Sequence, residues 1–600
     1  LILAKKYNAV ANSEKDVSQT FLKGAAVLTV SMIIVKVFGL IDKVLLTNIY
    51  STFGQGYATM GTGLYSNAYE IFVVIFTVAT GGLPIAISRL VSESIAQKRY
   101  KDVKQIHRVS KPFFVIVGIV SLLIMVIGSF FYVKGIKSPY SIYAMMCLAP
   151  TILFGCLVSI YRGYFEGQRN MVPTAVSEII EAAVKLVIGA LLAYFVMRFG
   201  IDSYESTGTF LGFTFDNEIE AQNTILAFSV AGAICGISLG SLCSFIYYYL
   251  LFKIKGDGIP KEYYESSIDA RTAKETLVLI CKTALPIAMG ALIMSLGSLV
   301  DQFIIQRVLL GLVESNPTAL EAQYGAYFPK DVFYGDEITL HTRLWGCYSA
   351  ALTLMQLVTA VTQVFGSSAM PNVTSAWTKG NKSELKKSIE TVVRMTMLFT
   401  LPMSLGLSVL ARPIMQLIYA DEAIVDIGGN VLMIMGITTI FTAAVTPICS
   451  MLQGVGKVNV PMKLYTVCML IKIAITWMFV SIPEINIQGA TAGSLVAYAV
   501  ILIIGTFLLI RYSKIKINFY TTTIKPLIGA VISSAAAYIV NYFMSGIVPQ
   551  RVSTVLAIVA AVVVYIISLL ILRAFTATEI KFLPKGEKIA KVLEKWHLIG

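Results

Sequence analysis

Apolar runs of roughly 20 residues recur along the whole 600-residue chain. Wound as a helix at about 1.5 Å per residue, such a run crosses a hydrocarbon core of about 30 Å. Backbone polar groups in that core need internal partners, so only helices or closed barrels span it. These runs are too long for barrel strands, and the fold class they predict is an all-α polytopic membrane protein. Fourteen spans are expected, at roughly 21–50, 60–88, 112–133, 141–164, 172–198, 223–252, 276–310, 343–376, 391–411, 424–453, 459–481, 487–510, 522–545 and 552–575. The first, second, seventh and eighth exceed a straight crossing, so tilt or bending is expected, with Pro84, Pro286 and Pro371 as kink points. Charged residues make up 14% of the chain and hydrophobic ones 56%, whereas soluble domains are about 25% charged. A soluble enzyme, a secreted disulfide scaffold and a nucleic-acid-binding domain are thereby excluded.

The formal charge of +14 reads as topology. With the N-terminus inside, alternate loops hold about 35 of the 48 Lys and Arg residues and the opposite loops about 8. The inner set includes Arg89–Lys111, Lys253–Lys274, Lys379–Arg394 and Arg511–Lys525. Asp202, Glu205, Asp216, Glu218, Glu220, Asp331, Asp336 and Glu337 fall in outer loops. Both termini are then cytoplasmic, and the basic excess attracts anionic lipid headgroups. The first 23 residues are polar and basic, so no cleavable signal peptide is expected there. The eight cysteines lie in or beside apolar runs without metal-ligand spacing, and the three histidines are scattered. No metal site, cofactor or catalytic set is expected.

The chain repeats itself. Leu40-Ile41-Asp42-Lys43 of span 1 parallels Leu299-Val300-Asp301-Gln302 of span 7. Span 2 ends with Pro84 before a basic loop helix at Lys98–Lys104, and span 8 ends with Pro371 before Lys382–Lys387. The hinge Gly167–Pro173 precedes span 5, and Gly454–Pro461 precedes span 11. Three pairs in one order, six spans apart, predict two parallel six-helix lobes related by an axis along the membrane normal. The expected organisation is an N-lobe over 1–253, a cytoplasmic linker over 254–275, a C-lobe over 276–511, two additional spans over 512–575 and a tail over 576–600. The tail reads either as a basic amphipathic helix on the inner membrane surface or as a solvated basic segment.

Ionisable groups inside spans cost about 2.5–3.5 kcal/mol on insertion scales and mark candidate functional sites. By residue count Lys36, Lys185 and Lys472 lie near midplane, Lys43 shares a helix face with Lys36, and Asp42 and Asp301 lie in the outer third of their spans. The lysines suggest a cationic cavity suited to a phosphate. For Lys185 an ion pair with Glu181, four residues earlier, is an equal alternative. Asp42 and Asp301 could pair across the lobes with Lys43, Arg307 or Arg343 and close the outer side, or Asp301 could bind a coupling cation. Trp345, Trp377 and Trp477 are expected as interface anchors.

The run Tyr161-Arg162-Gly163-Tyr164-Phe165-Glu166-Gly167-Gln168-Arg169-Asn170-Met171-Val172-Pro173, continuing through Ser177, Glu181 and Lys185, resembles the SpoVB/MurJ-like polysaccharide-biosynthesis proteins of the multidrug/oligosaccharidyl-lipid/polysaccharide (MOP) exporter superfamily. So does Gly82-Leu83-Pro84-Ile85-Ala86-Ile87-Ser88-Arg89. The resemblance covers essentially the whole chain and implies a MATE/MOP-like fold. It implies flipping of an undecaprenyl-pyrophosphate-linked sugar, such as lipid II, from the inner to the outer leaflet of a bacterial plasma membrane. Partners would be the lipid-linked oligosaccharide, membrane lipids and cell-envelope synthesis enzymes, with Na+, H+ or the membrane potential as driving force. Lys36 falls where the family's span-1 motif has its first Arg, and Arg343 loosely matches the basic position of span 8. Asp42-Lys43 reverses a later Arg-Asp pair, and span 2 has no basic residue between Tyr57 and Ser88. These departures favour the SpoVB-like branch. Asp301 matches a position that helps bind sodium in some relatives, while the span-11 carboxylate is replaced by a region holding Lys463 and Lys472. Two other readings were weighed. A MATE-type cation-coupled antiporter would favour unpaired midplane carboxylates. A membrane-embedded glycosyltransferase or polymerase would need catalytic carboxylates in a substantial outer domain.

Overall fold

The computed structural model describes residues 27–28, 30–215, 217–259, 261–265, 267–334, 338–457 and 459–574. The tail over 576–600, with Asp216, Asp336 and Glu337, lies outside them. Helix α1 runs over 30–50. It is followed by α2 (Tyr57–Thr80), α3 (Leu83–Ala96), α4 (Tyr100–Ile136), α5 (Ser141–Gly167) and α6 (Val172–Thr207). A two-residue hairpin, β1 (Thr209–Phe210) with β2 (Phe213–Thr214), precedes α7 (Glu218–Lys255) and the short α8 (Lys261–Glu265). The second half contains α9 (Ala273–Ser315), α10 (Pro317–Tyr324), α11 (Leu340–Thr378), α12 (Lys382–Val409), α13 (Ala411–Ile418), α14 (Glu422–Gly454), α15 (Asn459–Val480) and α16 (Gly489–Ser513). Two further helices, α17 (Lys525–Met544) and α18 (Gln550–Ile571), complete it.

Thirteen spans among the described residues are long and apolar enough to cross a membrane. They fall at the second to fourteenth expected positions. At the first position stands α1, whose 21 residues carry Lys36, Asp42 and Lys43. The chain is an all-α membrane protein of about fourteen spans.

The paired motifs recur as paired geometry. After α5, Arg169 takes a left-handed φ of 61° and Asn170 N–H donates to Phe165 O at 3.0 Å. After α14, Gly456 takes φ 80° and Lys457 N–H donates to Leu452 O at 3.0 Å. Both are Schellman-type ends, which return orphan carbonyls to a partner and turn the chain sharply. The other pair behaves alike: Lys98 (φ 59°) with Arg99 N–H on Ser94 O, and Gly380 (φ 66°) with Asn381 N–H on Ala376 O. The basic segments that follow are not separate loop helices. They form the first turns of α4 and α12, the latter capped by Asn381 Oδ1 accepting from Glu384 N–H at 3.2 Å. Pro84 sits in the first turn of α3, just after α2 ends at Gly81-Gly82. Pro286 lies inside α9.

Contact density divides the chain into two compact units. The first holds the chain up to Phe53 with Leu64–Phe303, and the second holds Gly54–Gly63 with everything from Ile304. The divisions fall inside α2 and α9 rather than in the 254–275 connection. In the first unit α5 is the core helix, with 17 of its 27 residues buried. In the second, α14 holds that place, with 21 of 33 buried. Only six of the 22 residues of α18 are buried, so its large exposed residues, such as Val559 and Ile566, are placed to face lipid. In the second unit Tyr565 O–H donates to Leu398 O at 2.7 Å, fastening α18 to α12.

Candidate functional site

Within the first unit, α1, α2 and α6 bring together charges far apart in sequence. Asp42 is 2% exposed, and its Oδ2 lies 3.3 Å from Lys185 Nζ. Lys43 Nζ stands 4.5 Å from the centroid of the Tyr65 ring, and Lys185 Nζ 5.7 Å from the same ring. One buried ring therefore stands beside two ammonium groups, as its quadrupole allows. Tyr69 stacks one turn further along α2, with ring centroids 6.4 Å apart.

This corrects the ion-pair alternative for Lys185. It pairs with Asp42 and not with Glu181. Glu181 accepts from Ser241 Oγ on α7 at 2.8 Å. Glu178 accepts from Ser31 Oγ at 3.3 Å and lies 3.9 Å from Arg162 Nη1. A helix pair four residues apart gains a few tenths of a kcal/mol, whereas a carboxylate buried like Asp42 needs a full counter-charge. The local pairing rule loses to that demand. Asp42 thus finds its counter-charge within its own unit.

Arg343 is the second correction. It is 0% exposed, on the first turn of α11 in the second unit. Its Nη1 donates to Gly56 O at 2.7 Å and its Nε to Thr339 Oγ1 at 3.3 Å. Its guanidinium lies 5.0 Å from the Tyr57 ring centroid and 5.8 Å from that of Phe328. Asp421 Oδ2 accepts from Gly56 N–H at 2.9 Å, while its Oδ1 caps α14 through the N–H groups of Ala423 and Ile424. Both backbone groups of Gly56, held at φ +83°, are therefore taken by charged side chains. Arg343 fixes the start of α2 instead of lining an open cavity.

Asp301 is 6% exposed on α9. Beside it, Gln302 Nε2 donates to Asn67 Oδ1 at 2.8 Å, and Asn67 Nδ2 donates to Ser141 Oγ at 3.1 Å. Lys472 is half-buried on α15 and Arg307 is exposed on α9. Lys185 and Lys472 hold equivalent places, each thirteen residues after its helix begins. The carbonyl of each faces a glycine of the next helix, so that a Cβ on Gly236 or Gly493 would lie 3.0 Å from it. Lys36 is exposed on α1, flanked by the exposed Met32, Ile33 and Val37. Trp377 and Trp477 are exposed, as interface anchors should be, but Trp345 is 2% exposed and stacks on Tyr348 at 5.1 Å. It is a core residue. Sequence reasoning missed Tyr65, Asn67 and Asp421. It weighed only charges inside spans, and neutral polar groups or a carboxylate just outside a span gave no signal of burial. Among the described residues no cluster of three His, Cys, Asp or Glu could hold a metal ion.

Buried, internally matched charges on long apolar helices, with repeated hinge geometry, describe a polytopic helical membrane protein. Residues 21–210 match the polysaccharide biosynthesis protein family, and residues 345–478 match MatE. Stage V sporulation protein B of Bacillus subtilis (strain 168) is 22% identical over 578 residues, 94% of this chain and 98% of that protein. Lipid II flippase MurJ of the same organism is 19% identical over 562 residues, covering 91% and 94%. Among solved structures, lipid II flippase MurJ in an inward closed conformation aligns with a TM-score of 0.59 at 15% identity, over 91% of this chain and 98% of that one. An inward-facing MATE-family multidrug transporter aligns at 0.56 and 13% identity, over 82% and 99%. The chain is thus SpoVB- and MurJ-like in sequence along nearly its whole length, and its fold is like that of MurJ and the MATE transporters.

Proposed function

We propose that this protein is a flippase for a lipid-linked, pyrophosphate-bearing sugar precursor of the bacterial cell envelope, moving it between leaflets by alternating access. The observation that carries the reading is the balance of charges. Asp42, Glu178 and Glu181 are engaged inside the first unit, and Glu70 and Asp301 have partners as well. Lys36 is an exposed cation, so the charge offered to a ligand is positive and suits a phosphate. The likeness to a lipid II flippase along nearly the whole chain supports the same reading. In it the basic loops face the cytoplasm with both termini, Lys36 and Lys43 meet the anionic cargo, and envelope-synthesis enzymes supply and consume that cargo. Na+, H+ or the membrane potential drives the cycle, and flux under imposed ion, pH and potassium-diffusion gradients assigns it.

The test is reconstitution in proteoliposomes with a panel of undecaprenyl-pyrophosphate sugars, scored by leaflet-specific labelling. Movement without covalent change is expected. Lys36→Ala should slow it severely at normal yield, since a charge-assisted contact contributes about 1.5–3 kcal/mol. Lys36→Arg should keep part of the rate. Normal transport by Lys36→Ala would remove this lysine from the site. The MatE match over 345–478 favours one other reading, a cation-coupled small-molecule antiporter. Exchange of an organic cation against Na+ or H+, with no movement of any lipid-linked sugar, would establish that reading instead.

A further inference from the structure

A cavity of about 410 Å³ lies in the second unit among α12, α14, α16 and the segment leading into α17. Met397, Pro447, Ile448, Leu502, Phe507 and Ile517 form its walls. It also touches Thr396, whose hydroxyl turns back to Val392 O at 2.8 Å and shows the cavity its methyl group. Ile503, Phe507 and Phe519, also in the lining, are 66%, 61% and 44% exposed. The cavity therefore opens on an exposed apolar surface of its own unit.

The chain that runs on from this apolar slot is basic. The lining residues Ile510 and Ile517 bracket Arg511, Lys514 and Lys516, all exposed. Arg394 follows the lining residue Val393, and Lys525 stands two positions after Thr523. From Arg511 to Lys525 the chain has no acidic residue. The neighbouring Glu390 is already engaged, accepting from Asn518 N–H at 2.9 Å and lying 3.8 Å from Lys386 Nζ. An apolar slot continued by the exposed cations Arg511, Lys514 and Lys516 matches an amphiphile with a hydrocarbon chain and an anionic head, since basic residues at a membrane surface hold lipid phosphates.

We propose that this cavity is a binding site for an anionic glycerophospholipid of the surrounding membrane, with one acyl chain in the slot and its phosphate head among Arg511, Lys514 and Lys516. The site is independent of the flippase reading, because it needs neither the cargo nor the charges of α1. Its occupant is a resident lipid of the bilayer, and it ties α12, α14 and α16 to the start of α17.

The purified full chain, stripped of lipid in detergent, is incubated with phosphatidylglycerol or phosphatidylcholine of identical acyl chains and examined by native mass spectrometry. Phosphatidylglycerol should be retained preferentially, with affinity falling about fivefold for each rim charge removed in Arg511→Gln, Lys514→Gln and Lys516→Gln. Thr506→Trp should fill the slot and reduce retention of both lipids, while Thr506→Val should not. Ile503→Trp at the mouth is the second filling variant, should Thr506→Trp unfold. Equal retention of the two lipids by the unaltered chain would overturn the proposal. So would a preference that survives the rim and filling variants. Displacement of phosphatidylglycerol by equimolar undecaprenyl pyrophosphate would assign the slot to the cargo and overturn it too.

Discussion

Two lysines placed at similar depth by residue count do different work. Lys185 neutralises a buried carboxylate, whereas Lys36 stands exposed. Lys185→Ala strands Asp42 and should cost about 3–5 kcal/mol of stability, much of which the Lys185→Ala/Asp42→Ala double variant should restore. Lys36→Ala should change stability by less than about 0.5 kcal/mol while slowing transport. Thermal unfolding in detergent beside a flux assay separates the two, and equal destabilisation would refute the division. That Asp42 needed a partner was legible from its sequence position. Which lysine supplied it was not, because Lys185 lies 143 residues away while Glu181 sits one turn from Lys185. Arg343 was misplaced for a related reason: its partners are the carbonyl of Gly56 and the ring of Tyr57, and no sequence pattern announces a backbone acceptor.

At the scale of elements, helix positions, paired hinges and the repeat were all legible, since hydropathy and Gly-Pro punctuation are local. The close approaches between helices were not. In the second unit a Cβ on Gly346 would collide with the Thr59 carbonyl, and one on Gly63 with the Thr342 carbonyl. The start of α2 and the start of α11 touch through backbone. Gly346→Ala should therefore destabilise by about 1–3 kcal/mol through overpacking. Gly311→Ala, with nothing within 4 Å of its Cβ, should be neutral or stabilising by about 0.5–1 kcal/mol. Asp421→Ala removes the α14 cap and an acceptor for Gly56 N–H, so a loss of at least about 1–2 kcal/mol is expected. Midpoints from tryptophan-fluorescence melts check all three, and an unaffected Gly346→Ala would mean that these helices pack less closely.

On the scale of the whole molecule, the loop charges predict a side for every connection, and that prediction is directly measurable. A cysteine introduced at Leu211, 58% exposed in the β1–β2 turn, should react with an impermeant maleimide on intact cells. One at Ile268, 67% exposed before α9, should react only after permeabilisation. The reverse pattern would invert the topology. Hydropathy, read from sequence alone, places nearly every span. It cannot show where compact units divide, because that depends on which side chains meet. Here Gly54–Gly63 joins the second unit although the rest of α2 lies in the first.

That sharing of helices has a mechanical consequence. Both α2 and α9 start in one unit and end in the other, so the two bodies are joined by stiff rods as well as by loops. A rod clamped at both ends stores elastic energy when its supports move. The helical segments that carry the joins are α2 around Gly63 and Leu64 and α9 around Phe303 and Ile304. In the second unit Gly56 is the anchored end of its rod, held through both backbone groups by Arg343 and Asp421.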